Sequence, residues 1–444
     1  MGMDIAVSPL PDMDSGAQPQ DALPSQMQPA AAPSPATLIA QRAANPNAEQ
    51  DNDFFYSSAQ WTADGTSLVV GSSDNKVSTF VLPSDLLEAN TVQSLEPQSS
   101  IQLPEPSQCI APAPYFSLAN PATQTLLVGC RDHPLQLYHA FPTESEKPAP
   151  LCMYKLMRHE TEEYITPSSM LWPSPGTHFF CGSANRIDYF DASRPGSDGP
   201  VHTLHTIPSK RHLLKGGGVG MKGTVSTLSE SPLDAPGGGI IAAGTWTRWM
   251  GLYDMHRVDK AVANWSIAEA DSQEFGKDFG GQGIIQTCWS PCGRYLVINE
   301  RHSSGLLVYD IRGNGKLLSV LSGRVCQTQQ RLTCDTFGSA NDGPGFELWA
   351  GTDSGSVKVW DEVGLHYGVV EPRWDWDAHE TSISSTVVHP SGSVAATCAG
   401  AWRHPSDSDI DSSQGGSHGS NVRTRILDGS AIRLWSITGQ QEPQ

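Results

Sequence analysis

The sequence has no run of about 18 apolar residues, the minimum for a transmembrane helix. Its first residues have neither the basic start nor the apolar stretch of a secretory signal peptide. Basic residues are scarce: 28 Lys and Arg accompany 47 Asp and Glu in 444 residues, which gives a formal net charge of −19. A surface of that sign repels phosphates, so any RNA contact must be local. We expect a soluble, non-secreted protein that does not bind membranes.

Motifs of catalysis and metal binding are also missing. The nine cysteines form no CxxC pair, and we expect them to be reduced thiols. The sequence has no GxSxG, no HExxH and no kinase motif set. The stretch from Gly216 to Thr224 fits GxGxxG, but a strand rather than a helix is predicted after it, so we interpret it as a loop. We therefore expect no enzyme activity, no catalytic residue, no metal, no cofactor and no small-molecule substrate.

Two segments are poor in aromatic and β-branched residues. Residues 1–50 are rich in Pro, Ala, Gln, Ser and Asp, and a second polar stretch contains DSDIDSSQGGSHGS. Neither segment buries enough apolar surface to offset the entropy lost on ordering. We predict a disordered N-terminal tail over residues 1–50, a folded domain over 51–440, and a flexible insertion at about 403–424.

The folded domain contains one repeated pattern, an apolar alternation that ends on an aromatic residue. It occurs seven times, ending at Phe80, Tyr138, Phe190, Tyr253, Tyr309, Trp360 and Trp435. Successive endings lie 51 to 75 residues apart. Because a minimal WD repeat has roughly 40 to 45 residues, the loops must be enlarged.

Each aromatic ending follows a strand of small residues, and several repeats begin with a strand that closes in a turn, such as WSPCG at 289–293. Small residues suit strands that converge near an axis, and the turn composition favours hairpins. The Ala378-His379-Glu380 segment resembles the Gly-His element of a WD repeat, and we expect His379 to be a buried structural residue. These features predict an all-β fold, a seven-bladed WD-repeat β-propeller.

The ring of blades must also be closed. We expect a segment just before Trp61 to complete the last blade. Truncation beyond about residue 45 should therefore destabilise the domain.

Arginines recur in the predicted hairpin between the second and third strands of four consecutive blades: Arg131, Arg186, Arg248 and Arg301. Arg324 and Arg331 lie in the predicted connection to the sixth blade. These hairpins and connections share one face of a propeller, where clustered guanidinium groups would hold phosphates. Trp246 and Trp249 lie beside them and are candidates for stacking on unpaired bases. In the alternative interpretation, the arginines pair with carboxylates of the blades.

Five motifs within roughly residues 52–437 carry a family resemblance: CRDHPLQLYHAF from Cys130, FFCGSANRIDYFDASRPG from Phe179, GTWTRWMGLYD from Gly244, GRVCQTQQRLTCD from Gly323 and GTDSGSVKVWD from Gly351. They resemble the telomerase Cajal body protein family, WD-repeat proteins that bind small Cajal-body RNAs and telomerase RNA, and its fungal splicing-associated relatives. The sequence differs from the animal pattern around Gly280 and Gly281, where a histidine is missing, and at the insertion after Pro405.

The resemblance implies a nuclear ribonucleoprotein role with RNA on the arginine-bearing face. The positions that match the family motifs are Arg131, Arg186, Arg248, Arg301, Arg324, Gln330 and Arg331. The hypothesis is a non-enzymatic nuclear protein that binds small nuclear or telomerase-type RNA and assists RNP assembly or pre-mRNA splicing. Its expected protein partners are RNP or spliceosomal proteins. The alternative is a protein-only scaffold in a spliceosomal or other nuclear complex.

Overall fold

In a computed structural model, the chain forms seven sheets of four or five strands and a small two-stranded sheet, among the residues that the structure describes. These residues are 35–43, 54–142, 148–158, 160–196, 198–207, 209, 220–234, 238–254, 261–313, 315–338, 345–403, 425–426 and 430–437. None of their helices is long and apolar enough to span a membrane. The fold is the predicted seven-bladed β-propeller, in which each large sheet is one blade.

The first three blades each have four antiparallel strands, given from the first, innermost strand outward. Blade 1 consists of Tyr56–Trp61, Ser67–Ser72, Lys76–Val81 and Ser99–Gln102. Blade 2 consists of Ser107–Pro112, Thr125–Cys130, Leu135–His139 and Cys152–Tyr154, with a 3-10 turn at Pro121–Thr123. Blade 3 consists of Ser169–Leu171, His178–Ser183, Arg186–Asp191 and His202–His205.

The next three blades follow the same plan. Blade 4 consists of Val225–Glu230, Ile240–Thr245, Trp249–Asp254 and Ala261–Ser266, followed by a short α-helix, Ala270–Phe275. Blade 5 consists of Ile284–Trp289, Tyr295–Glu300, Ser303–Asp310 and Leu317–Cys326, with a 3-10 turn at Ile311–Gly313. Blade 6 consists of Cys334–Gly338, Phe346–Gly351, Ser356–Val363 and Trp374–Asp377.

The seventh blade is closed by the N-terminal part of the chain. Its first three strands are Ile383–Val388, Val394–Ala399 and Ala431–Ile437, and its fourth is Ala36–Ala43. The short strands Trp402–Arg403 and Arg425–Ile426 pair beside it, and the rest of the predicted insertion, 404–424, lies outside the described residues.

Closure by an N-terminal segment is thus present, but at a different position from the predicted one. The segment just before Trp61 is the first strand of blade 1, and the closing strand, Ala36–Ala43, lies within the segment assigned to the tail. The propeller therefore extends back to residue 36, while residues 1–34 lie outside the described residues. The side chains of Ala36 and Ala40 are buried in the blade, a local pattern that the average composition of residues 1–50 conceals.

A short strap holds the closing strand on its outer edge. Gln93–Ser94, in the connection between the last two strands of blade 1, pairs in parallel with Ala40 and Gln41. Arg42 donates to the carbonyl of Leu95 at 3.2 Å, and Leu95 N donates to Gln41 O at 2.9 Å. A similar strap, Gly368–Val370, extends the edge of blade 5. The closing strand is therefore bonded along both edges.

The seven aromatic endings all lie in third strands and are all buried, as predicted. The small-residue segments that precede them are the second strands. Gly351 shows why small residues occur there, because a Cβ at this position would lie 2.5 Å from Ile383 Cβ of the next blade. Close packing between neighbouring blades thus sets the composition of these strands.

His379 is a buried structural histidine, as predicted from its segment. Its Nε2 forms a 2.7 Å hydrogen bond with Thr397 Oγ1, which also accepts a 2.9 Å bond from Trp435 Nε1. Burial, together with the nearby charge of Arg433, lowers the pKa of His379 to about 3. The imidazole is therefore neutral in the folded protein.

We expect His379→Gln to flatten the pH dependence of stability between about pH 3 and 6.5. A histidine of the unfolded chain titrates near about 6.5, so the unfolded state gains a proton first as the pH falls. The contribution of neutral His379 is complete above pH 6.5 and is lost as the pH falls towards its folded pKa of about 3. Urea unfolding at pH 7 and pH 4 measures the difference. The exposed His366→Gln is the control, and equal pH dependence in both variants would refute the expectation.

Candidate nucleic-acid interface

Three of the hairpin arginines lie where the sequence predicted, between the second and third strands of blades 2, 4 and 5: Arg131, Arg248 and Arg301. Arg186 is the first residue of the third strand of blade 3, directly after the hairpin turn. Second strands all end on one face of a propeller, so these hairpins share that face with the connections between blades. We call it the hairpin face. The side chains on it have three different environments.

Two of these arginines hold buried carboxylates. Arg186 Nε donates to Asp188 Oδ2 at 2.8 Å, and the Asp188 side chain is 0% exposed. Arg248 donates from Nε and Nη2 to the two carboxylate oxygens of Glu300, at 2.8 and 2.9 Å, and that side chain is 2% exposed. At these two positions the alternative interpretation, pairing with blade carboxylates, describes the geometry.

The Glu300 carboxylate explains the glycines at the connection to blade 5. Gly281 has φ of 119°, and a Cβ there would collide with Glu300 Oε2. Gly280 also contributes its carbonyl, which accepts a 3.2 Å bond from Arg248 Nη2. Burial raises the pKa of Glu300, while the Arg248 guanidinium opposes that rise. The segment that differs from the animal pattern thus packs around a buried ion pair.

Arg324 has a structural role instead of the predicted RNA contact. It lies in the fourth strand of blade 5, not in the connection to blade 6, and it is 0% exposed. Its three nitrogens donate to groups of blades 5 and 6: Nε to Gly351 O at 2.9 Å, Nη1 to Asn299 Oδ1 at 2.9 Å and Nη2 to Leu332 O at 2.8 Å. With every nitrogen used inside the protein, Arg324 cannot reach a ligand.

Two further candidates also face the protein. Trp249 is partly buried against the apolar cluster of blades 3 and 4, so its ring is not free to stack on a base. Gln330 Nε2 donates to Gly400 O at 3.2 Å and so links the connection before blade 6 to blade 7. Both side chains are partly buried and packed against the protein.

Arg301 and Arg331 form the remaining pair, which we call the unpaired arginines. Arg331 Nη2 donates to Ser168 O of blade 3 at 3.1 Å, so its side chain crosses the central channel. Arg301 Nε is buried without a hydrogen-bond partner. Burial lowers the pKa of both, and the charge of Arg301 further lowers the pKa of Arg331, which indicates that the two cations lie close together. Within the described part of the chain, neither forms an ion pair with a carboxylate.

Trp246 adds an aromatic surface beside this pair. The Arg301 guanidinium lies 5.4 Å from the centroid of its ring, and Trp246 is 43% exposed. The tryptophan and Ser168 line a cavity of about 650 Å³, which also borders Asp132 and Thr166. Arg301 contacts this cavity through Trp246 and Arg331 through Ser168, although neither arginine lines it.

Arg131 lies at the outer edge of this site. Its side chain is 68% exposed and its Nε is 3.5 Å from Asp132 Oδ2, an ion pair that water screens strongly.

All nine cysteines are free thiols, as predicted. In the described ranges, no three His, Cys, Asp or Glu side chains are placed to hold a metal ion together.

No family model matches the chain. Curated relatives include the telomerase Cajal body protein 1 of Rattus norvegicus, 27% identical over 79% of this chain and 60% of that protein. The guanine nucleotide-binding protein negative regulator 1 of Schizosaccharomyces pombe is 25% identical, over 69% of this chain and 70% of its own length. Protein SWT21 of Zygosaccharomyces rouxii is 27% identical, over 70% of this chain and 67% of its own length.

The match spans about three fifths of the telomerase Cajal body protein relatives. It covers most of this chain, as the five sequence motifs predicted. The chain is a seven-bladed propeller that resembles telomerase Cajal body protein 1 and its fungal relatives.

Proposed function

We propose that the protein is a non-enzymatic nuclear RNA-binding propeller, which holds an unpaired segment of a small RNA on its hairpin face. The observation that carries the proposal is the pair Arg301 and Arg331, two neighbouring cations without a carboxylate partner among the described residues. Two like charges close together are destabilising by themselves. A phosphate between them removes that repulsion and adds charge-assisted hydrogen bonds.

The surroundings favour a single strand over a duplex. Trp246 offers one exposed ring beside the unpaired arginines, and an unpaired base can stack on it. The cavity next to it borders the carboxylates of Asp132, Glu162 and Glu163 and one cation, Arg158, which is paired with Glu163; the excess of carboxylates repels a second phosphate. A duplex would bring two backbones to this surface, whereas a loop can insert one nucleotide.

The resemblance supports the choice of RNA. The name of these relatives joins telomerase with the Cajal body, a nuclear location. We extend this to a nuclear RNP role, with a small nuclear or telomerase-type RNA as ligand and RNP or spliceosomal proteins as partners. The bound RNA would serve RNP assembly or pre-mRNA splicing.

We expect Arg301→Ala and Arg331→Ala each to weaken RNA binding about tenfold, because each removes one phosphate contact. Each variant should also lower the slope of log K against log salt by about 1. A fluorescent, random-sequence 20-nucleotide RNA, titrated at several salt concentrations, measures both quantities. The control is Arg194→Ala, which removes an exposed arginine paired with Asp198 outside the hairpin arginines.

Unchanged affinity in both variants would exclude the unpaired arginines as the RNA site. Ultraviolet crosslinking in cells then separates the proposal from its alternative. Recovery of RNA attached to the chain supports RNA binding, while protein adducts alone support a scaffold.

A further inference from the structure

The central channel has a second open cavity, where the first strands of the blades end on the face opposite the hairpin face. It measures about 610 Å³ and borders Glu230, the last residue of the first strand of blade 4. Trp289, at the end of the first strand of blade 5, and Asp335 of blade 6 also line it. Asp234 lies at its exposed rim. We call it the lower cavity.

Among the residues that the structure describes, no Lys, Arg or His lines the lower cavity. Within the same residues, Glu230 Oε1 is buried without a hydrogen-bond partner. Burial raises the pKa of Glu230 to about 7 and that of Asp335 to about 6. A buried carboxylate oxygen without a partner carries a desolvation penalty, which a donor entering the cavity would remove.

Asp335 connects the lower cavity to a neighbouring one. Its carboxylate accepts from Val388 N and Thr336 N, both at 2.9 Å, so its position is fixed by the backbone. It also borders a cavity of about 390 Å³, together with Trp61 and Gln60 of blade 1. Asp335 therefore lies between two cavities, with the Glu230 carboxylate in one and the Trp61 indole in the other.

We propose that the lower cavity receives an arginine side chain from a protein partner. A guanidinium group donates to Glu230 through its fork, and the exposed Asp234 carboxylate lies at the rim of the same cavity. A metal ion fits less well, because the described residues include no group of three metal ligands. The long aliphatic stem of arginine suits a cavity whose walls are partly apolar. The channel would then bind RNA at one end and a basic protein segment at the other.

A fluorescent Gly-Gly-Arg-Gly-Gly peptide, titrated against the full chain by anisotropy, tests this proposal. We expect it to bind, the citrulline version to bind about tenfold more weakly, and Glu230→Gln to cause a similar loss. Glu230 is the residue to change because its free oxygen holds no other group, so the melting temperature should stay the same. The matched control is Glu163→Gln, in the cavity of the hairpin face.

Three outcomes overturn the proposal: no binding of the arginine peptide at millimolar concentration, equal binding of the citrulline peptide, or full affinity in Glu230→Gln. Calorimetric binding of Mg²⁺ that Glu230→Gln abolishes would assign the cavity to a metal instead. The random-sequence RNA should bind Glu230→Gln as it binds the parent chain, so failure of this proposal is distinguishable from failure of the RNA site.

Discussion

A chain that begins at residue 45 should fail to form a stable propeller, whereas one that begins at residue 35 should melt as the full chain does. The shorter chain lacks the fourth strand of blade 7, which pairs with the third from Ala36 opposite Ile437 to Ala43 opposite Ala431. Its loss leaves the third strand as an open edge and removes the partner of the strap around Leu95.

The expected loss is roughly 5 kcal/mol, because ladder hydrogen bonds and buried apolar contacts disappear together. That loss is comparable with the whole stability of a typical domain, so the shorter chain should aggregate or melt at a much lower temperature. Circular dichroism melts of purified chains beginning at residues 1, 35 and 45 make the comparison. Equal melting of all three would show that the ring needs no closing strand.

Arg324→Met should destabilise the protein by roughly 3 to 5 kcal/mol. The guanidinium is fully buried and donates to Gly351 O, Asn299 Oδ1 and Leu332 O. The substitution removes a donor from each of these groups, and only Leu332 O keeps a short bond, from Asn299 Nδ2 at 2.8 Å. Since these groups belong to blades 5 and 6, the packing between the two blades should loosen. Urea unfolding measures the loss.

The control for Arg324 is Arg312→Ala, which removes an exposed ion pair with Asp310. Exposed pairs contribute about 1 kcal/mol or less, so this variant should remain close to the parent. If Arg324→Met kept full stability but lost RNA affinity, the result would support the direct RNA contact that the sequence predicted for Arg324.

The repeated pattern was sufficient to predict the propeller, because alternation is a local property of a strand. Seven buried aromatic endings and the small second strands appear where the pattern placed them. The hairpin positions of Arg131, Arg248 and Arg301 followed from the same reasoning. The position of the closing strand did not, since Leu38 and Ile39 are its only large apolar residues and give little signal within a Pro-rich and Ala-rich segment.

The sequence by itself determined the number of blades, the face that carries the arginines and the resemblance to telomerase Cajal body proteins. Arg186 pairs with Asp188, two residues away. Only the tertiary structure, by contrast, decided the partners of Arg248, Arg324 and Arg331. Arg248 meets Glu300 of the next blade, and Arg324 meets groups on two blades. Arg331 instead crosses the channel to Ser168 and approaches Arg301 without a carboxylate. Charge pairing depends on distance in space, and the ring brings together side chains that the sequence order separates.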